Sequence, residues 1–347
     1  MTDTPRDLSK QSLPEKGLHS HQPNANQSSV PTVVFLDRET IPPHINIAPL
    51  SFDHQWLSYA ETAPAQIAER IADADIVVTN KVILSEDVLA QASKLKHIAV
   101  TATGVNNIDL SYCESRGIAV SNIQGYATQS VPEHVIGLLF ALFRNISAYH
   151  HDIAQGEWQR QGKFCFFTHP IRDVAGSTLG IVGSGALGQA TATLASAVGM
   201  KVVFAERKGA SEVRAGYQAF DRVLEESDAI CLLCPLTEST VNLIAKRELE
   251  LMKSTAVLIN TGRGGLVDEH ALVDALHQGI IAGAGVDVFT QEPAPKDNPL
   301  IMNNDLPTLL LTPHVAWGSD SSIQKLCNIL VENVEAFQQG LRLNRVV

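Results

Sequence analysis

The sequence predicts an α/β protein built from two doubly wound parallel-sheet units. Three observations carry this. Short apolar runs alternate with segments of helical period, the alternation comes in two separate sets, and 347 residues is about twice the ~150 expected of one domain.

Residues 1–30 are polar and poor in apolar side chains, so they are expected to form a disordered tail. They lack the apolar core of a secretory signal, and Asp3, Asp7 and Glu15 argue against a transit peptide. From residue 31 onward, Val33–Leu36, Ile76–Val78, His97–Val100 and Ile118–Val120 read as parallel strands buried on both faces, being largely apolar and too short for helices. Ala65–Ala72 and Glu86–Ser93 carry apolar residues at helical spacing and predict helices between them. A long helix is predicted from Pro132, a residue tolerated in a first turn, through Phe143. It is apolar nearly all round and should be buried between the two units.

Six further strands are predicted at Thr178–Val182, Lys201–Ala205, Ala229–Cys234, Ala256–Ile259, Ala284–Val288 and Leu309–Leu311, enough for a full dinucleotide-binding sheet. The last segment returns to helical period. Ile323, Leu326, Cys327, Leu330, Val331, Val334 and Phe337 fall on one stripe opened by Ser319 and Asp320, and this helix could pack on either unit.

Composition narrows the functions available. With 26 basic and 37 acidic residues the net charge is −11, which repels phosphodiester backbones and argues against nucleic acid as the main partner. The longest apolar run, Val135–Phe143, is about half the ~20 residues of a bilayer crossing, so no membrane span is expected. Five cysteines without an export signal point to a reducing compartment, the cytoplasm. Cys231 and Cys234 spell C-x-x-C, but on a strand residues three apart face opposite ways, so no metal or redox pair is expected.

Gly183-Ser-Gly185-Ala-Leu-Gly188 fits G-x-G-x-x-G and directly follows a predicted strand. Gly183 would allow the tight turn and Gly185 the approach of a pyrophosphate. Gly188 would allow close helix–sheet packing, with amides from Ala186 and Leu187 at the helix start facing the anion. Glu206 ends the next strand, 18 positions after Gly188, where a carboxylate meets the adenosine ribose. A carboxylate there favours NAD by repelling a 2′-phosphate; Arg207 and Lys208 follow it and could pair with that phosphate, which keeps NADP possible.

Charged residues gather at predicted strand ends, where open α/β sheets bind ligands. Arg263 sits in a glycine-flanked turn, Asp287 ends a strand with Glu292 in the loop beyond, and His314 follows the sixth strand. A cation, a carboxylate and an imidazole on the nicotinamide side form a constellation suited to proton transfer.

Taken with Thr79–Val82, Ala102–Asp109, Gly180–Gly188, Cys234–Thr237, Asn260–Gly264, Gly285–Pro293 and Thr312–Trp317, the chain from about residue 31 onward resembles the D-isomer-specific 2-hydroxyacid dehydrogenases, and most of all their glycerate dehydrogenase (hydroxypyruvate reductase) branch. The resemblance implies a Rossmann dinucleotide-binding domain, residues 130–317, inserted in a flavodoxin-like substrate domain of residues 31–129 and 318–347. It implies a catalytic triad of Arg263, Glu292 and His314. Cofactor contacts would come from Gly185 to Leu187, Glu206, Cys234, Pro235, Thr240, Thr261, Gly262, Arg263 and Asp287. Gly104 and Val105 amides would hold the substrate carboxylate, with Lys81 as its neighbour and with Arg263 and His314 also facing the substrate. The usual assembly is a homodimer through the dinucleotide domains.

The expected chemistry is reduction of a 2-oxo acid such as hydroxypyruvate or glyoxylate to the D-2-hydroxy acid, D-glycerate or glycolate, and the reverse. His314 would supply the proton, Arg263 would bridge the 2-oxo oxygen and the carboxylate, and Glu292 would orient the imidazole and favour its protonated form. Asp287 is expected on the nicotinamide side, and packing around Lys81, Phe164, Phe166 and Trp317 is expected to shape the substrate pocket. Glu206 departs from the family's commoner aspartate, and Glu292 speaks against formate as substrate. Sequence alone leaves open a dehydrogenase for another 2-hydroxy acid, and a dinucleotide-sensing module like the corepressors that share this fold.

Overall fold

A computed structural model describes residues 30–347; the disordered tail expected over residues 1–30 lies, apart from Val30, outside the described residues. The first sheet contains β1 (Thr32–Phe35), β2 (Gln55–Ser58), β3 (Ile76–Thr79), β4 (His97–Val100) and β5 (Ala119–Ser121), in the order β2-β1-β3-β4-β5. The second contains β6 (Thr178–Val182), β7 (Lys201–Ala205), β8 (Tyr217–Gln218), β9 (Ala229–Leu232), β10 (Val257–Asn260), β11 (Gly283–Val286) and β12 (Leu309–Leu311), in the order β12-β11-β10-β9-β6-β7-β8. Every pairing in both sheets is parallel. The first order is flavodoxin-like, and the second is that of a full dinucleotide sheet with one added strand.

Alternate residues of each strand feed opposite cores, as the two-residue repeat of a strand requires. In β1, Val34 joins Ile67, Ile71 and Leu89 on one face, while Val33 and Phe35 pack with Ile323, Leu326, Leu330 and Val334 on the other. The terminal helix Asp320–Gln338 therefore lies on the first sheet, its N-cap Ser319 accepting from the Ser322 amide. In the second sheet, Leu179, Ile181, Cys231 and Ile259 face one core, and Val182, Ile230, Leu232 and Leu258 the other. Cys231 and Cys234 consequently pack against different cores.

Two strands differ from the sequence expectation. β2 is a half-exposed edge strand, and β8 has only two residues, so neither carries the buried apolar run that marks its neighbours. The long helix runs Ser130–Phe143, two residues earlier than expected, and packs on the second sheet beside the helix Ala186–Ala197. Leu138 lies over Gly285 in β11, where a methyl group would come within 3.1 Å of it. Its first turn reaches the junction of the two units: Ser130 Oγ donates to the Trp317 carbonyl and receives a hydrogen bond from Ser322 Oγ. Among the described residues no helix is long and apolar enough to cross a membrane.

Candidate active site

The glycine loop lies at the switch point, where β6 pairs with β7 on one side and β9 on the other. Gly183 has φ 111°, open to glycine alone, and a Cβ there would meet the Cys234 amide nitrogen at 2.6 Å. A Cβ on Gly188 would lie 2.0 Å from the Gly183 carbonyl oxygen, so the helix could not seat this closely with any other residue. At Gly185, by contrast, a Cβ would meet nothing within 4 Å: this glycine leaves open the approach to the N-terminus of the helix Ala186–Ala197. Across the loop, Thr261 is buried with its Oγ1 taking no hydrogen bond among the described residues. A cradle closed to side chains, an open helix N-terminus and a buried hydroxyl without a partner fit a dinucleotide. Thr240 Oγ1 closes its own turn by donating to the Pro235 carbonyl and accepting from the Thr237 amide.

Beyond the ends of β11 and β12, Glu292 and His314 meet: Nδ1 of the imidazole lies 2.7 Å from Glu292 Oε2. Both side chains are partly exposed, at 26% for His314 and 32% for Glu292, so the pair is reachable from solvent. Glu292 also accepts from the Phe289 amide at 3.1 Å. Burial pushes its carboxyl up, but the hydrogen bond from His314, the Phe289 amide and the charge of Lys81 outweigh burial and hold it below the ordinary value. Glu269 steadies the same loop from beneath, accepting from the Thr290 amide and from Asn298 Nδ2, both at 2.7 Å.

His314 has φ 55°, an uncommon backbone for a non-glycine residue, and the structure shows what holds it there. Its amide donates to the Asp287 carbonyl at 2.7 Å. The buried Asp287 carboxylate accepts from Thr312 Oγ1, the Val315 amide and the Ala316 amide at 2.6, 2.9 and 3.0 Å. Both Asp287 oxygens thus serve the loop that carries His314. A buried carboxylate needs donors and the turn supplies three, which gives Asp287 a positioning task for the loop of His314.

Arg263 follows β10 in a turn tied by Asn260, whose Nδ2 donates to the Arg263 carbonyl and whose Oδ1 accepts from the Gly262 amide. Its guanidinium faces Gly104 of the first unit so closely that a Cβ there would lie 3.0 Å from Nη2. Arg263 and the 104–105 backbone are therefore brought together from different sheets. Lys81 sits within range of both Arg263 and Glu292; burial pulls its ammonium below the ordinary lysine value, while Glu292 and Asp37 pull the other way. Its loop is anchored by Asp37, which accepts from the Asn80 and Lys81 amides at 2.9 and 2.7 Å. Tyr126, stacked edge-on to Trp317, lies close enough to feel the Arg263 charge, while burial pushes its phenol up to about 12.

A profile described as "D-isomer specific 2-hydroxyacid dehydrogenase, NAD binding domain" matches residues 136–316. A Methylorubrum extorquens protein named glycerate dehydrogenase is 47% identical over 317 residues, covering 90% of this chain and 98% of its own. The chain belongs to the D-isomer-specific 2-hydroxyacid dehydrogenases. A Haemophilus influenzae protein, named as a 2-hydroxyacid dehydrogenase with no particular substrate, is 50% identical over 310 residues, covering 89% and 98%. Among solved structures, an NADPH-dependent glyoxylate/hydroxypyruvate reductase from Sinorhizobium meliloti superposes with a TM-score of 0.75 at 28% identity, over 91% of this chain and 98% of that one. As a 2-hydroxyacid dehydrogenase, this chain is an oxidoreductase that interconverts 2-oxo and 2-hydroxy acids with NAD, NADP remaining compatible.

Two expectations for this dehydrogenase meet a different geometry. Phe164, expected to help shape the substrate pocket, is 94% exposed, and Phe166 stands edge-on to Tyr149. Glu206, expected on the adenosine ribose, is buried and gripped by Arg214, with Nε 2.6 Å from Oε2 and Nη2 2.9 Å from Oε1. Hydrogen bonds from Arg214 and from the Arg207 amide hold its carboxyl at about 2. No local pattern in the sequence marks Arg214 or Tyr126, while Asn260 opens the Asn260–Gly264 stretch that carries the resemblance. Asp37, placed directly after the first strand, carried the same strand-end signal as Glu206.

Proposed function

We propose that this dehydrogenase reduces hydroxypyruvate and glyoxylate to D-glycerate and glycolate, and catalyses the reverse, with Arg263, Glu292 and His314 as its catalytic residues. The observation that carries this is the 2.7 Å contact between His314 Nδ1 and Glu292 Oε2. The names of the relatives, glycerate dehydrogenase, hydroxypyruvate reductase and glyoxylate reductase, support the substrate class.

Bound reduced cofactor supplies the hydride to the carbonyl carbon. The chain manages the rest. With Nδ1 turned to Glu292, His314 offers Nε2 to the substrate oxygen, giving its proton in reduction and taking the hydroxyl proton in oxidation. Arg263 polarises the 2-oxo oxygen and holds the carboxylate with its planar fork, while the Gly104 and Val105 amides take the carboxylate's other side. Lys81 adds a second cation, which suits a small substrate bearing a polar group at C3. Closure of a substrate domain (31–129 and 318–347) on a dinucleotide domain (130–317) would exclude water from the transfer.

A homodimer is supported by the segment between Ile146 and Ile171, where Phe164, Phe167, Ile146 and Trp158 are 94, 77, 55 and 44% exposed. Exposed large apolar side chains gathered in one stretch of chain need a cover, and a second copy supplies one. Light scattering tests this; a monomer at micromolar concentration would remove it. The reducing cytoplasm is supported by the five free thiols.

The deciding experiment is a kcat/KM panel of 2-oxo acids with NADH and NADPH. Hydroxypyruvate and glyoxylate are expected to exceed pyruvate and phenylpyruvate by at least about tenfold. Preference for a bulky 2-oxo acid would reassign the substrate, and tight NADH binding without turnover would favour a dinucleotide-sensing module.

A further inference from the structure

The end of β7 presents a cation where its sequence places an acid. Glu206 has 5% of its side chain exposed and Arg214 has 56%. Each carboxylate oxygen already has two protein donors: Oε1 takes the Arg207 amide at 2.8 Å and Arg214 Nη2, and Oε2 takes the Arg214 amide at 3.2 Å and Arg214 Nε. Little accepting capacity is left for a ribose diol. The guanidinium in turn lies over the Tyr217 ring, 4.0 Å from its centroid, and Tyr217 Oη donates to Ser184 Oγ at 2.6 Å. Ser184 is part of the glycine loop, so Glu206, Arg214, Tyr217 and the phosphate-binding turn form one connected unit. Lys208 is committed elsewhere, to Glu248 at 3.0 Å and the Leu243 carbonyl.

We propose that Arg214 is the residue that sets which nicotinamide dinucleotide this dehydrogenase accepts. By neutralising Glu206 it removes the charge that would exclude a 2′-phosphate, and it offers that phosphate the guanidinium donors not used on Glu206. Glu206 is then a positioning residue for Arg214, and the chain accepts NADP(H) as well as NAD(H). The role assigned to Arg214 rests on dinucleotide binding at the glycine loop and is independent of which 2-oxo acid is reduced.

Calorimetric titration of the full chain with adenosine 2′,5′-bisphosphate and with 5′-AMP reads this without turnover. The wild type is expected to bind the bisphosphate at least as tightly as 5′-AMP. Arg214→Ala should weaken the bisphosphate relative to 5′-AMP by about tenfold or more, the worth of a charge-assisted hydrogen bond, with Arg214→Lys falling between. The NADPH-to-NADH ratio of kcat/KM should fall in the same order. Retained 5′-AMP binding shows that the variants are folded. A wild type that binds 5′-AMP but rejects the bisphosphate by about tenfold or more, or a ratio unmoved in Arg214→Ala, would overturn the assignment. Failure of both nucleotides to bind the wild type would overturn it together with the dinucleotide site beneath it.

Discussion

Two glutamates, Glu292 and Glu206, each hold a basic side chain at almost the same distance, and the bases decide what each pair does. Glu292 Oε2 lies 2.7 Å from His314 Nδ1, and Glu206 Oε2 lies 2.6 Å from Arg214 Nε. Imidazole gains and loses a proton near neutrality, so the first pair can carry a proton to and from a substrate. Guanidinium keeps its charge at any working pH, so the second pair can only present or cancel charge. Surroundings reinforce the contrast. His314 is held at a left-handed backbone by a buried carboxylate beneath its loop, whereas Arg214 lies on an exposed loop and is fixed by its partner and an aromatic face. Contact distance alone therefore says little about chemistry; the ionisation range of the partner says most of it.

This contrast can be broken at several points. The largest effect is expected at His314: replacement by Ala should lower kcat by at least about 10²-fold, and turnover near wild type would end its role as the acid. Next comes Asp287→Asn, which leaves one of the Val315 and Ala316 amides facing an amide NH2 in place of an oxygen. Urea unfolding should show a loss of about 2 kcal/mol, and an unmoved midpoint would mean that the loop holds its own shape.

Glu292→Gln sharpens the comparison, since it keeps the shape of the pair and removes its charge. The kcat of reduction should fall by about tenfold or more, and turnover near wild type would remove the carboxylate from the mechanism. The smallest effect is expected at Glu206→Gln. The carboxyl of Glu206 is depressed from 4.5 to about 2, so its pairing stabilises the fold fully above pH 4.5 and is lost as pH falls toward 2. The Tm difference between wild type and this variant should be constant above pH 4.5 and shrink below it; a difference that persists into acid would place the effect in packing instead.

Most of the frame was legible in the residues. Strands such as Ile76–Thr79 and Val257–Asn260, buried throughout, announce themselves as short apolar runs because both faces of a parallel sheet are covered. The glycine loop was legible because only glycine tolerates its backbone and its close approaches. β2 and β8 were not, since an edge strand needs no buried run and takes its identity from the neighbour it pairs with. Asp37 lies 43 residues before the Asn80 amide it accepts from, and the facing of Arg263 and Gly104 joins two sheets; no local pattern records such meetings.

Periodicity, glycine placement and strand-end polarity are properties of neighbouring residues, and through them the chain alone prescribes two doubly wound sheets, a phosphate turn and a set of charged side chains on one rim. Partner choice is different in kind. That Asp287 meets the turn above it, and that Glu206 meets Arg214, depends on how loops from separate strands come to rest against each other. Those outcomes are set by the need of each buried carboxylate for donors, which only the packed molecule can supply.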